Sequence, residues 1–130
     1  MTNKELMALA IKARENAYTK YSSFAVGAAL LTKSGKVFGG CNIENASFTP
    51  TCCAERTAFF SAIAAGERDF EAIAVCGGKV GEKRIKCMPC GVCRQVMSEF
   101  CSEDFKIIIE DGEELSTLTL SELLPYSFNM

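Results

Sequence analysis

Two short cysteine motifs are the parts of this 130-residue sequence best suited to chemistry. The first contains Cys53 and, two residues later, Glu55; the second is a Cys-x-x-Cys pair formed by Cys90 and Cys93. Three thiolates can hold a zinc ion and leave its fourth coordination position for water, as catalytic zinc requires. Glu55 would lie beside the metal without binding it, where its carboxylate could move protons between that water and a substrate.

The sequence leaves other interpretations of these cysteines open. The chain has no histidine, so any zinc site must use thiolates or carboxylates. A lone Cys-x-x-Cys pair also suits a redox couple, although a redox couple would not explain Cys53 and Glu55. A structural zinc site would recruit a fourth thiolate, either Cys87 or Cys52, and Cys87 is the stronger candidate because adjacent cysteines rarely bind the same metal. The remaining thiols are interpreted as buried apolar side chains: Cys41, Cys76 and Cys101.

The composition argues against several classes of function. Hydrophobic residues make up 48% of the chain and charged residues 23%, which is ordinary for a globular protein. The net charge of −2 and the scattered basic residues argue against a nucleic-acid partner. No run of about 20 apolar residues could span a membrane, and residues 1–5 lack the pattern of a signal peptide. Eight cysteines without an export signal predict a reduced, cytoplasmic protein.

Both motifs lie where an irregular segment meets a predicted helix. Hydrophobic periodicity predicts four helices, over residues 3–19, 54–65, 91–101 and 119–124. Apolar runs between turn signals predict four strands, over residues 24–32, 36–41, 70–76 and 106–109, with residues 77–88 as a loop. Helix starts offer free N–H groups and a positive dipole end, which favour thiolates. The alternation of elements predicts one α/β domain over residues 1–130, with a mixed central β-sheet covered by helices on both faces.

Four blocks of this sequence, in order, resemble the zinc-dependent cytidine deaminase family. The family signature, H-x-E followed by P-C-x-x-C, has a three-cysteine variant that is similar to the two motifs described above. The matching blocks are residues 21–30, 40–46, 53–58 and 89–96. The resemblance covers nearly the whole chain, is closest to the short homotetrameric form of the family, and implies a cytidine deaminase-like fold.

The resemblance implies a free nucleoside as the substrate. It implies hydrolytic deamination of cytidine and 2′-deoxycytidine to uridine and 2′-deoxyuridine with release of ammonia, a reaction of pyrimidine salvage. It also implies one Zn²⁺ per subunit, a homotetramer, and no nucleic-acid or membrane partner. The family's zinc ligands match Cys53, Cys90 and Cys93, and its proton shuttle matches Glu55.

The resemblance further implies contacts with the substrate. Phe24 matches a residue that packs against the pyrimidine ring, and the Ala54 main chain matches a contact with the pyrimidine edge. Asn42 and Glu44 match residues that hold the ribose 3′-hydroxyl. Phe128 matches an aromatic residue that a neighbouring subunit contributes to the site.

A site of three thiolates creates an electrostatic difficulty. Three thiolates on Zn²⁺ leave one net negative charge, which weakens the metal as a Lewis acid. We therefore expect Arg56, next to Glu55, and the two helix starts to donate hydrogen bonds to the sulfurs and restore the acidity of the water.

Three rival functions share parts of this pattern. A deaminase of polynucleotide cytosine would need a basic groove and aromatic stacking platforms, which the pI near 5.2 and the lack of tryptophan disfavour. A non-catalytic zinc module would close its site with Cys87. A deaminase of a nucleoside-like antibiotic would share the zinc motif but not the block around Asn42 and Glu44. The sequence does not rank cytidine against deoxycytidine, because both carry the 3′-hydroxyl.

Overall fold

The computed structural model describes all 130 residues and contains one five-stranded sheet. The strands are β1 (Phe24–Thr32), β2 (Val37–Cys41), β3 (Phe70–Lys79), β4 (Lys106–Asp111) and β5 (Glu114–Thr119). The helices are α1 (Asn3–Arg14), α2 (Ala54–Ala64), α3 (Gly91–Phe100) and α4 (Leu120–Leu123). The strand order is β2-β1-β3-β4-β5, with β3 and β4 parallel and the other neighbours antiparallel. The sheet is therefore mixed.

Two apolar layers cover the two faces of this sheet. Helix α1 packs on one face, where Leu6 and Ala10 belong to the same buried cluster as the sheet residue Ala74. Helices α2 and α3 pack on the other face in a larger cluster that includes Phe59 and Met97. Because helices cover β1 and β3 on both faces, most residues of these two strands are buried. They do not show the alternation of buried and exposed residues that a sheet with one exposed face has. The predicted fold class, a mixed sheet with helices on both faces, is confirmed.

Side chains cap the N-termini of α1 and α4, the first and last helices of the chain. Thr2 with Glu5, and Thr119 with Glu122, form complete capping boxes at α1 and α4. None of the helices combines the length and the apolar character needed to cross a bilayer.

The structure corrects three predicted elements. Helix α1 ends at Arg14 rather than at residue 19, because Tyr18 forms backbone hydrogen bonds with the chain around Asn42. Strand β3 continues through Gly77 and Gly78 into the predicted loop, because it pairs there with the start of β1. Strand β5 was not predicted at all: it is an edge strand with little burial, so its apolar pattern is weak.

Helix α2 packs very closely on β2 at Gly40. A Cβ atom at this position would collide with the Ala54 carbonyl oxygen and lie 2.6 Å from the Ala58 nitrogen. Both are backbone atoms of α2, so a side chain at Gly40 would have to push the helix away from the sheet. Because Gly40 has no side chain, α2 can lie close to the sheet. The start of α2 carries the first cysteine motif, so Gly40 helps to set the position of that motif.

Gly40→Ala should destabilise the protein, whereas Gly39→Ala should not. Overpacking against backbone costs about 1–3 kcal/mol, and at Gly40 there is no flexible side chain to absorb it. At Gly39 an added Cβ would lie 3.4 Å from the Ala13 Cβ, an ordinary van der Waals contact. Urea unfolding measures the free energy of unfolding of both variants. Equal values would show that the close packing of α2 on Gly40 does not matter for stability.

Candidate metal centre and active site

Three sulfur atoms meet where two helices begin. Cys53 is the N-cap of α2, Cys90 is the N-cap of α3, and Cys93 lies in the first turn of α3. The Cys53 and Cys90 sulfurs are 3.8 Å apart, the Cys90 and Cys93 sulfurs are 3.5 Å apart, and all three lie within 4.8 Å of one another. Neither N-cap side chain accepts a capping hydrogen bond from its own helix. The first N–H groups of both helices therefore remain available to stabilise thiolate charge.

The spacing of these sulfurs fits a zinc ion. Thiolates about 2.3 Å from a tetrahedral zinc ion lie roughly 3.8 Å from one another. The two sulfur–sulfur distances given above, 3.8 and 3.5 Å, are close to that value. Cys52 and Cys87 do not belong to the cluster, so the geometry favours a three-thiolate site over a closed four-thiolate site. A site of three thiolates leaves one coordination position for another ligand.

Arg56 donates to the sulfur cluster. Its Nη2 group lies 3.3 Å from the Cys53 sulfur. Hydrogen bonds from Cys93 and from Arg56 lower the pKa of Cys53, which favours its thiolate form. The Arg56 Nε group is buried and has no hydrogen-bond partner. A guanidinium with a donor left over beside three sulfurs suits a cluster of thiolates, which accept hydrogen bonds, better than a cluster of thiols.

Glu55 is a buried carboxyl group at the second position of α2. Its side chain is only 4% exposed, and burial raises the pKa of Glu55 to about 7. A group with a pKa near neutrality can both accept and return a proton under physiological conditions. The helix fixes this carboxyl group close to Cys53, which lies two residues earlier.

One cavity of about 220 Å³ brings the catalytic candidates together. Cys53, Glu55 and Cys90 line it, together with Ala54 and Asn42. The remaining lining residues are Val26, Thr51, Cys52, Cys87 and Met88. Sequence reasoning did not select Val26 and Thr51. Val26 lies inside a matching block, and Thr51 lies two residues before Cys53, so both positions carried a usable signal.

Asn42 joins this cavity to the beginning of β1. Its Oδ1 atom accepts the Val26 N–H at 2.8 Å, and its Nδ2 group donates to the Phe24 carbonyl at 2.8 Å. The side chain is only 9% exposed. These two hydrogen bonds fix the orientation of the amide, and one N–H and one acceptor site remain for a ligand.

Glu44 lies in a second cavity, of about 330 Å³, next to the first. Tyr21, Ser22 and Phe48 also line this second cavity, and Thr51 lines both, so the two cavities adjoin. The hydrogen bond from the Ser22 hydroxyl, helped by the N–H groups of Ser22 and Tyr21, lowers the pKa of Glu44. The group is therefore a carboxylate at neutral pH.

Phe24 lies near the first cavity, whereas Phe128 does not. The Phe24 ring and the Cys87 sulfur approach the same face of Gly77, where a Cβ atom would lie 3.1 Å and 2.7 Å from them. Phe128 lies in another groove with Gln95, whose side chain donates to the Phe128 carbonyl at 3.1 Å. The Phe128 side chain is 69% exposed, so it does not reach the cavity of its own subunit.

The other cysteines differ in their surroundings. Cys52 lines the cavity wall, and its backbone pairs with Ile43 in both directions at 2.9 and 3.0 Å. Burial raises the pKa of Cys87 to about 12, so its thiol stays protonated. Cys76 is fully buried, as predicted, but Cys41 and Cys101 are only half-buried.

Comparisons with known proteins agree with this geometry. The family model described as the cytidine and deoxycytidylate deaminase zinc-binding region matches residues 1–109. A cytidine deaminase of Halalkalibacterium halodurans is 50% identical over 129 residues, which cover 98% of this chain and 95% of the relative. A cytidine deaminase of Sporosarcina psychrophila is 44% identical over 130 residues, which cover 99% and 93%. The crystal structure of a cytidine deaminase from Burkholderia pseudomallei superposes with a TM-score of 0.90 at 46% identity, covering 98% of this chain and 100% of that one.

Cys90→Ser should abolish stoichiometric zinc binding, whereas Cys87→Ser should retain one zinc ion per chain. Cys90 belongs to the sulfur cluster and Cys87 does not, although both line the same cavity. Loss of a ligand should weaken zinc binding by more than the roughly 10- to 100-fold that loss of an outer partner costs. Elemental analysis after dialysis measures the zinc content. Zinc loss from Cys87→Ser would restore the closed four-thiolate alternative.

Proposed function

The chain belongs to the cytidine and deoxycytidylate deaminase family, and on that premise we propose that it hydrolyses free cytidine and 2′-deoxycytidine to uridine and 2′-deoxyuridine, releasing ammonia. The observation that carries this proposal is that the buried Glu55 carboxyl and two cysteines of the three-sulfur cluster, Cys53 and Cys90, line one cavity. We assign the activity to residues 1–130 as one domain, acting in pyrimidine salvage.

The proposed chemistry divides between the metal site and Glu55. Zinc held by Cys53, Cys90 and Cys93 supplies a Lewis acid that makes water nucleophilic at neutral pH. Glu55 would take one proton from the attacking water and deliver it to ring N3. It would then take the remaining proton of the new C4 hydroxyl and pass it to the amine, which leaves as ammonia while C4 becomes a carbonyl. One carboxyl group can perform both transfers because its pKa lies near neutrality.

We assign Arg56 the task of balancing charge. The cation donates to Cys53 and has a second donor group free beside the sulfurs. By withdrawing electron density from the thiolates it would keep the metal site acidic despite three anionic ligands. The starts of α2 and α3 contribute in the same direction.

The substrate would lie across the two adjoining cavities. The amide of Asn42 and the carboxylate of Glu44 would hold the ribose 3′-hydroxyl, which carries both a donor and an acceptor. The ring of Phe24 and the Ala54 main chain would bound the pyrimidine. A hydroxyl-binding carboxylate disfavours a phosphate at the same position, which argues for nucleosides over polynucleotides.

We further propose that the protein is a cytoplasmic homotetramer. Several large apolar side chains are exposed, among them Phe48 at 79% and Phe128 at 69%, and such side chains are candidates for burial between subunits. Phe128 would contribute to a neighbouring subunit's site. All eight cysteines are free thiols, the state that a reducing compartment maintains.

The direct test is loss of ultraviolet absorbance when the protein is mixed with cytidine. The wild-type protein should deaminate cytidine and 2′-deoxycytidine and lose activity after chelation of zinc. Glu55→Gln should bind zinc and ligand but lose about 10²- to 10⁴-fold in kcat, because the proton shuttle is removed. Retained turnover in Glu55→Gln would remove this residue from the mechanism.

Matched controls make the result specific. Glu99→Gln makes the same chemical change on the exposed side of α3 and should leave kcat unchanged. Single-stranded DNA and a cytosine-containing nucleoside antibiotic should both be poorer substrates than cytidine. Activity confined to either of them would replace the proposed substrate class.

Arg56→Ala should lower kcat about 10- to 100-fold with little change in KM and with zinc retained, because an outer partner of the thiolates is lost while the ligands stay. Arg68→Ala is the matched control, since Arg68 donates only to backbone carbonyls at the far end of α2. Steady-state kinetics and zinc analysis on both variants check this expectation. An unchanged kcat in zinc-loaded Arg56→Ala would dismiss the charge-balancing role.

A further inference from the structure

The chain segment that leads into β1 holds the Glu44 carboxylate at both oxygens. The N–H groups of Tyr21 and Ser22 donate to Oε1 at 2.9 and 3.0 Å. The Ser22 hydroxyl donates to Oε2. A single residue, Ser22, thus contacts both carboxylate oxygens and fixes the plane of the group.

The same hydroxyl also binds the first residue of β1. The Ser22 Oγ atom accepts the Phe24 N–H at 2.9 Å. The Ser22 hydroxyl therefore links two groups, the backbone of Phe24 and the carboxylate of Glu44 in the neighbouring cavity. The proposed base contact and the proposed ribose contact are therefore joined through one side chain.

The backbone between these two contacts has an unusual conformation. Ser23 has a φ of 58°, in the left-handed region that non-glycine residues rarely adopt. Two backbone hydrogen bonds hold it there, from the Ser23 N–H to the Thr19 carbonyl at 2.9 Å and from the Val80 N–H to the Ser23 carbonyl at 2.8 Å. Such conformations persist where the surrounding structure over-determines them, often at ligand sites.

The hydrogen bonds to Glu44 leave it a single acceptor position. A carboxylate accepts about four hydrogen bonds through its two oxygens. The two N–H groups occupy Oε1 and the Ser22 hydroxyl occupies one side of Oε2, so one acceptor position remains, on Oε2. A group with one free acceptor selects a ligand that donates, such as a sugar hydroxyl.

We propose that Ser22 is a positioning residue that aims the last free acceptor of Glu44 at the ribose hydroxyl and holds it in register with the Phe24 ring. The proposal rests on the proposed nucleoside deaminase activity and deepens it. Ser22 itself would not contact the reacting atoms. Its effect should therefore depend on whether the substrate carries the hydroxyl that Glu44 accepts.

The test compares cytidine with 3′-deoxycytidine. Ser22→Ala should lower kcat/KM for cytidine about 10- to 100-fold, the effect of losing a hydrogen bond to a charged group. For 3′-deoxycytidine, which lacks the hydroxyl, the same variant should lose less than about threefold. Ser22→Thr keeps the hydroxyl and should restore most of the preference for cytidine.

Two further variants guard against misinterpretation. Ser61→Ala makes the same chemical change on the exposed side of α2 and should leave the ratio of kcat/KM for the two substrates unchanged. Ser22→Cys keeps the side-chain shape with a somewhat larger atom but donates more weakly, so it tests the same ratio if Ser22→Ala fails to fold. Thermal unfolding of each variant separates a loss of folding from a loss of recognition.

The outcomes are distinguishable. Equal losses for both substrates, or no loss for either, would overturn the positioning role of Ser22. A wild-type enzyme that shows no preference for cytidine over 3′-deoxycytidine would overturn it as well. A wild-type protein that deaminates neither substrate would overturn the proposed function instead.

Discussion

The structure depends on bringing three cysteine sulfurs close together where they can hold one zinc ion. Three thiolates outweigh the two positive charges of Zn²⁺, so a site whose sulfurs lie 3.5 and 3.8 Å apart needs further positive charge around it. The chain supplies that charge from three directions: the start of α2, the start of α3, and the guanidinium of Arg56. Each source is held by the sheet or by the helices packed on it. The metal site is therefore a property of how two helices converge, and loop residues alone could not form it.

Convergence of the helices follows from the topology of the sheet. The parallel pairing of β3 and β4 requires a crossover, and α3 lies in that crossover, where it begins after the connecting residues 80–90. Helix α2 reaches the same place because Gly40 lets it lie directly on β2. The larger apolar cluster, which includes Ala54 and Cys93, then locks the first turns of both helices together. The first turns of α2 and α3 therefore belong both to the metal site and to the hydrophobic core.

Much of this arrangement could be predicted from the sequence. Both cysteine motifs mark the starts of helices, and the alternation of helices and strands predicts the layered sheet. Strand β5 escaped prediction because an exposed edge strand has no strong apolar pattern, and residues 77–79 looked like a loop because two glycines interrupt the apolar run. The placement of Thr51 and Val26 in one cavity, and the hydrogen bond from the Ser22 hydroxyl to Glu44, join segments about 20 or more residues apart, which no local pattern encodes.

The Asn42 amide supports the fold and would also serve recognition in the proposed substrate complex. Its amide closes the end of β1 with two backbone hydrogen bonds and also borders the cavity. Any replacement chosen to admit a different sugar would also release the Val26 N–H and the Phe24 carbonyl. Substitutions that alter the choice of sugar are therefore expected less at position 42 than at residues such as Met88. Met88 lines the same cavity but does not hold the sheet together.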